Sequence, residues 1–318
     1  MDKLEFESMT LCPLDGRYGK IKDQLADYFS EYALVKYRVF VEIQWLKFQL
    51  DHLHTETLDK VDPNKVDDIL AISKDFNFDS FKRIKEIESV TRHDVKAVEY
   101  FIDEKLKALG YEHLESYVHI GCTSEDINNT SYACMIKHGL KDVWLPAAKE
   151  FASMINKLAV DHKDDAMLAH THGQPATPTT IGKEFKVYAY RFFSSIENIE
   201  NIKIKAKFNG ATGNYSAILT AFPNEDWPTL NKEFVEDYLG LTFNPLTTQI
   251  ESHDYTLNRF LLRVKLVLQL CLIKLTQSVL KTLKQTLIYQ IIFVLHYLTN
   301  FLSQECRETY QTLQVSVT

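Results

Sequence analysis

A chain of 318 residues that is 45% hydrophobic and 25% charged has an ordinary globular composition, long enough for one large domain or two smaller ones. Its net charge of −7 excludes a basic field for non-specific nucleic-acid binding, so an anionic ligand must be held by local cations and backbone donors. Five cysteines without a CxxC or CxxxC pair, and an acidic N-terminus lacking the basic end and apolar run of a signal peptide, point to a reducing, cytoplasmic setting.

The first 255 residues read as all-α. After a polar cluster at Asp15-Gly16-Arg17-Tyr18, the residues Leu25, Tyr28, Tyr32, Val35, Val39, Ile43, Leu46 and Leu50 step by three and four, predicting one long helix with an apolar face. Thr91-Arg92-His93-Asp94 follows, where His93 is either an imidazole oriented by Asp94 or an ordinary helix-end residue. Thr123-Ser124-Glu125-Asp126 fits a capping box opening a helix that Gly139 would close. A further helix is expected from about Thr180 to about Lys207, because Pro175 and Pro178 suit the approach to a helix and not its interior. No strand-length alternation is strong enough to predict a sheet.

Each polar cluster is expected beside a helix end, where free N–H groups and the positive dipole end receive phosphate or carboxylate. Taken singly, Thr123 and Ser124 are plain caps and Arg17 is a solvated charge. His172 differs because Gly173 and Pro175 restrict the backbone around it, which is a way to fix an imidazole for proton delivery. His170 precedes that turn and is the weaker candidate. No HxxxH or HExxH spacing occurs and no cysteine joins the histidines in a ligand pattern, so zinc is not expected. The stretch Lys207-Phe208-Asn209-Gly210-Ala211-Thr212-Gly213-Asn214-Tyr215 lacks P-loop spacing and reads either as a helix-ending loop or as backbone approaching a ligand. Gln249 either orients a substrate group or caps a helix.

Together, and in this order, PLDGRYG, TRHDVKAVEYF, CTSEDINN, THGQPATPTTIGKE, KFNGATGNY and TTQIESHDY resemble the adenylosuccinate lyases of the fumarase/aspartase superfamily over about residues 8–255. The resemblance implies a long helical bundle of that type, truncated. Residues 1–112 would form a small helical N-terminal domain, 113–255 the first part of the central bundle, and 256–318 an atypical tail. It implies non-hydrolytic C–N cleavage releasing fumarate from adenylosuccinate and the succinylated carboxamide ribotide of purine biosynthesis, without cofactor or metal, in a homotetramer. By the same likeness His172 is the general acid. Arg17, Tyr18, Thr123 and Ser124 hold the nucleotide and succinyl anions, His93 and Asp94 shape the pocket, and Gln249 contacts substrate. Arg92 stands among these candidate binding residues where asparagine is familiar, which leaves its role open. Neither nucleic acid nor a membrane is an expected partner.

The family's catalytic base is a serine on a loop reading roughly SSxMPxKxN, and this sequence contains no such motif. One positioned proton-transfer group contributes about 10²- to 10⁴-fold, so little activity is expected of the chain alone. No glycine or proline follows Pro245, and no acid lies between Asp254 and Glu305. A membrane span over the uncharged residues 285–304 is diluted by Gln285, Gln290, His296, Asn300 and Gln304. An amphipathic helix pair completing the bundle is a second reading. A shifted frame or retained intron from about Thr256 is favoured, because composition and resemblance fail at one place. The rival to an incomplete enzyme is a non-catalytic helical subunit that binds nucleotide or joins full-length partners. The details of the segments disfavour an argininosuccinate lyase.

Overall fold

The structure, a computed structural model, describes Met9 and residues 19–253, with side chains from residue 24 onward. Arg17, Tyr18 and the leucine-rich stretch 256–318 lie outside the described residues. Backbone contacts divide the chain into two compact units, the first built from Lys22–Gly139 and Lys203–His253, the second chiefly from Leu140–Ile202.

The long helix expected over Leu25–Leu50 is two helices, α1 (Gly19–Phe29) and α2 (Glu31–His52). Ser30 breaks them: its hydroxyl accepts from the Ala33 amide at 3.1 Å and donates to the Ala26 carbonyl at 2.6 Å, a side-chain cap that competes with helix continuation. The apolar steps survive the break, with Leu25, Val35, Val39, Ile43 and Leu46 all buried. α2 is buried on nearly every side, which makes it the axis of the unit. Trp45 and Phe48 on α2 pack with Phe208, Trp227 and Phe234 from the later half of the chain. Each such ring contributes about 1.5–3 kcal/mol by leaving water.

Three helices surround α2: α3 (Val66–Lys74), α4 (Phe78–Thr91) and α5 (Asp94–Ala108). α4 closes on Arg92 in the left-handed conformation (φ 54°), and His93 caps α5 by accepting the Lys96 amide on Nδ1 at 3.1 Å. α6 (Ser124–Gly139) starts at the expected place. Gly139 does not end the helical path, since a π turn at Leu140–Trp144 follows. The glycine is instead a close-packing position: a Cβ there would lie 2.6 Å from the Phe29 ring.

In the second unit α7 (Leu145–Asp161) packs against the later helix of the unit, and between the two the chain forms a hairpin that the sequence did not predict. Strands β1 (Ala166–Thr171) and β2 (Gln174–Thr180) pair antiparallel, with a bulge between Leu168 and His170. Pro175 and Pro178 therefore sit in β2, opposite His170 and Leu168. Both strands of a two-stranded ribbon are edges, so a missing N–H is tolerated there. Thr180 then caps α8 (Ile181–Glu200) through the Lys183 amide at 3.1 Å. α8 ends at Glu200 and not near Lys207, because the chain extends into β3 (Lys205–Ala206). Two short helices, α9 (Ser216–Ala221) and α10 (Trp227–Glu233), precede β4 (Thr242–Phe243), which pairs parallel with β3.

The base of the hairpin is clamped. Ile181 N–H donates to the Asp165 carbonyl at 2.9 Å, Gly182 N–H donates to the His162 carbonyl at 2.8 Å, and the His162 ring meets the Asp165 carboxylate at 2.6 Å. A Cβ on Gly182 would lie 2.4 Å from the Ala159 carbonyl oxygen and 2.5 Å from the Lys163 Cα. Because both neighbours are backbone, Gly182→Ala should cost about 1–3 kcal/mol by overpacking. Thermal denaturation reads that loss, and limited proteolysis within 163–180 should accelerate.

Candidate functional site

The densest polar arrangement in the first unit is centred on Asp126, which is fully buried. Its carboxylate pairs with the buried Lys207 ammonium at 3.0 Å and accepts the amides of Thr123 (2.9 Å), Asn209 (3.1 Å) and Gly210 (3.1 Å). Lys207 Nζ also donates to the Gly210 carbonyl at 2.9 Å. Asn129, one turn along α6, accepts the Lys207 amide at 2.9 Å and returns a bond to the Lys207 carbonyl at 3.1 Å. A buried ion pair persists only when its remaining donors and acceptors are met, and here they are met by the two loops it joins.

A third segment closes on the same place. Asn209 Nδ2 donates to Thr247 Oγ1 at 2.8 Å, and Gly213 (φ 73°) comes so close to Thr247 that a Cβ would sit 2.2 Å from its carbonyl oxygen. The CTSED, KFNGATG and TTQIES stretches thus converge, with half-buried Thr123 and Ser124 at the first turn of α6. Gln249, two residues beyond Thr247, is exposed. Buried Glu251 folds the stretch by accepting Asn244 Nδ2 at 2.9 Å and the His253 amide at 2.6 Å. Cys122 beside Thr123 stays a thiol, because burial, aided by Asp126, Glu42 and Glu99, holds it well above its ordinary value.

Residues that sequence reasoning passed over hold this region to α2. Arg38, Glu42, Trp45 and Gln49 lie on one face of that helix and supply a buried polar row. Arg38 reaches Asn128 Oδ1 at 2.9 Å and Asp94 at 2.6 Å, Glu42 meets His119 at 2.6 Å, Trp45 donates to the Ile120 carbonyl at 3.2 Å, and Gln49 donates to the Tyr117 carbonyl at 3.1 Å. The available signal was a charged or amide group at helical spacing in an otherwise apolar helix. Asp94 resists its partial burial through Arg38, and its carboxyl is held below the ordinary carboxylate range. His93 and Arg92 are exposed and serve the junction of α4 and α5.

His172 belongs to the second unit and sits at the tip of the hairpin, not beside a helix end as the sequence suggested. Thr171 pairs with Gln174, leaving His172 (φ 50°) and Gly173 (φ 74°) as a two-residue turn with both φ positive, the requirement of a type I′ turn. Glycine is at ease there, and histidine is among the few other residue types that occupy this region. The turn fixes the imidazole's point of attachment while leaving the residue exposed.

Comparison with known proteins places these features. A family described as Lyase matches residues 16–279. The adenylosuccinate lyase of Vibrio cholerae serotype O1 is 44% identical over 259 residues, which is 81% of this chain and 57% of that protein. That of Escherichia coli strain K12 is 43% identical with the same coverage, and that of Legionella pneumophila is 44% identical over 248 residues, 77% of this chain and 54% of that protein. The chain thus spans little more than half the length of these relatives. Among solved structures, a fumarate lyase from Mesorhizobium sp. BNC1 aligns with a TM-score of 0.65 at 18% identity, covering 86% of this chain and 64% of that one. A 3-carboxy-cis,cis-muconate lactonizing enzyme from Pseudomonas putida aligns at 0.61 and 16%, covering 81% and 56%. These two establish the mostly helical fold alone.

Two outcomes follow from the first unit. Lys207→Met strands a buried carboxylate and should lower the unfolding free energy by about 3 kcal/mol or more, read by urea denaturation, with Asp126→Asn in the same chain recovering part of it. Asp94 has its folded-state pKa below its unfolded value, so its contribution is present above about pH 4 and fades as pH falls through the folded value. The stability gap between the wild-type chain and Asp94→Asn should be constant near neutrality and close in acid.

Proposed function

The chain belongs to the lyase family that matches residues 16–279, and on that premise we propose that it carries the acid half of an adenylosuccinate-type C–N lyase site. The observation that carries the reading is the His172–Gly173 turn, which presents an imidazole at the tip of a clamped hairpin. In this mechanism a base removes a Cβ proton from the succinyl group and the charge spreads into the adjacent carboxylate. The C–N bond then breaks, fumarate leaves, and the His172 imidazolium delivers its proton to the departing nitrogen.

Thr123 and Ser124 at the positive end of α6 would receive substrate anions, with Arg17 and Tyr18 supplying further donors. Gln249 would contact substrate, while Arg92, His93 and Asp94 would shape the wall beside it. Asp126 and Lys207 would fix the loops that bear these groups. The sequence holds no SSxMPxKxN stretch, so the base has to come from elsewhere. A subunit that carries the serine loop, such as a full-length relative, would supply it within an oligomer, up to the tetramer and in the cytoplasm; association is favoured because the second unit leaves Met154, Val160, Val187, Tyr190 and Phe193 exposed on α7 and α8. The missing base motif equally motivates a second reading, in which the chain binds nucleotide or full-length partners without catalysis.

Complementation separates the two. The chain is mixed with the Escherichia coli relative whose own turn histidine is replaced by alanine, and fumarate release from adenylosuccinate is followed. The proposal expects activity to return with the wild-type chain and to fall by about 10²- to 10⁴-fold when the chain carries His172→Ala. No recovery in a mixed oligomer shown to have formed would favour the non-catalytic reading.

A further inference from the structure

We propose that Asp103 is a proton-operated latch of the first unit: its carboxyl shares a groove with Glu115 of the 3₁₀ turn Glu112–Tyr117, holds that turn against α5 when protonated, and loosens it when ionised. The latch is independent of the lyase reading.

The geometry is a groove of about 510 Å³ between α4 and α5, lined among others by Ile87, Val90, Tyr100, Asp103 and Glu115. One oxygen of Asp103, Oδ1, is shielded from solvent and has no hydrogen-bond partner among the described residues. A carboxylate oxygen so placed is costly unless a cation or a proton answers it. The nearby cations are committed elsewhere. Arg83 gives its Nε and one terminal nitrogen to Glu104 at 2.9 and 2.6 Å and the other to Glu86 at 2.9 Å, and Lys96 gives its ammonium to Glu99 at 2.6 Å. Lys107 lines the same groove, but no ion pair joins it to Asp103 among the described residues.

The turn is pinned at both ends and exposed between them. Tyr111 N–H donates to the Leu106 carbonyl of α5 at 2.8 Å, and the Tyr117 carbonyl accepts from Gln49 of α2 at 3.1 Å. Leu114 is buried, whereas Glu115 and Ser116 after it are exposed. The bond from Val118 N–H to the Glu115 carbonyl is long, 3.3 Å. From Val118 the chain runs on to Thr123 and Ser124, so the latch bears on the start of α6.

The charged groups facing Asp103 are Glu115 from the turn, Lys96 and Glu99 from α5 itself and Glu42 from α2. Along the groove stand Arg83 and Glu86 of α4 with Glu104 and Lys107 of α5. Burial first, and then the Glu115 charge, push the Asp103 carboxyl up to about 6; Lys96 opposes them, and Glu99 and Glu42 add to the rise. The folded value lies above the ordinary carboxylate value near 4. Stability from the neutral carboxyl is therefore full below about pH 4 and is lost as pH rises through about 6.

Amide hydrogen exchange at Leu114 and Val118, with the carboxyl 13C shift of Asp103, tests the latch in the full chain between about pH 5 and pH 7.5. The carboxyl should titrate near 6. After correction for the intrinsic exchange rate, opening of the turn should rise about five- to tenfold over that range, the lower figure allowing for solvent screening on the exposed side. Asp103→Asn should abolish the rise and leave exchange slow at both ends. Glu115→Gln, a change at an exposed side chain, should lower the Asp103 midpoint and shrink the rise, and it carries the test if Asp103→Asn does not fold. A rise that persists in Asp103→Asn, or a wild-type carboxyl that does not titrate within this range, overturns the proposal.

Discussion

The buried ion pair between Asp126 and Lys207 is the constraint on which the first unit depends. A carboxylate and an ammonium withdrawn from water cannot be left to find partners by chance, and the pair is satisfied only when the start of α6 and the KFNG loop come together. That requirement brings residues separated by some eighty positions in the chain into one polar cluster. It also explains why Gly210 and Gly213 are needed: the loop must turn with positive φ, and at Gly213 it passes too close to Thr247 for a side chain. Electrostatics fixes the backbone first, and the groups offered to a ligand follow from that.

Left-handed backbone supplies a second constraint. Among the described residues, the non-glycine residues with positive φ are Arg92, His119, Tyr215 and His253 in the first unit and His172 in the second. Four of them lie inside motifs by which the sequence resembles its relatives, and His119 stands three residues before another. Strain of this kind costs about 1–3 kcal/mol per residue and survives only where other contacts impose it. Its placement in the very segments proposed to meet substrate ties the lyase reading to local geometry as well as to likeness. Arg92 fits this pattern: a long side chain is uncommon in the left-handed region, and arginine occupies it as the cap of α4.

Much of the architecture was legible in the sequence, and the exceptions have physical causes. Apolar steps of three and four placed α2, and the Thr-Ser-Glu-Asp run placed the start of α6. The break at Ser30 was missed because one hydroxyl cap leaves the apolar period intact on both sides. The hairpin was missed because its strands bury almost nothing and so carry no alternation, while prolines 175 and 178 were read as the approach to a helix. Thr123, Ser124 and His172 stood out through their local motifs. Lys207, Glu42 and His119 did not, because their meaning lies in partners brought together by tertiary structure, at distances that no local spacing encodes.

Amide hydrogen exchange at Thr123, Asn209 and Gly210 tests the central claim most directly. If Asp126 and Lys207 set the loops before any ligand arrives, these amides in the free chain exchange as slowly as those of the α2 core, near the limit of global unfolding. Exchange at the rate of the exposed turn at Gly173 would mean that the loops are assembled by something other than the buried pair, and would contradict the account.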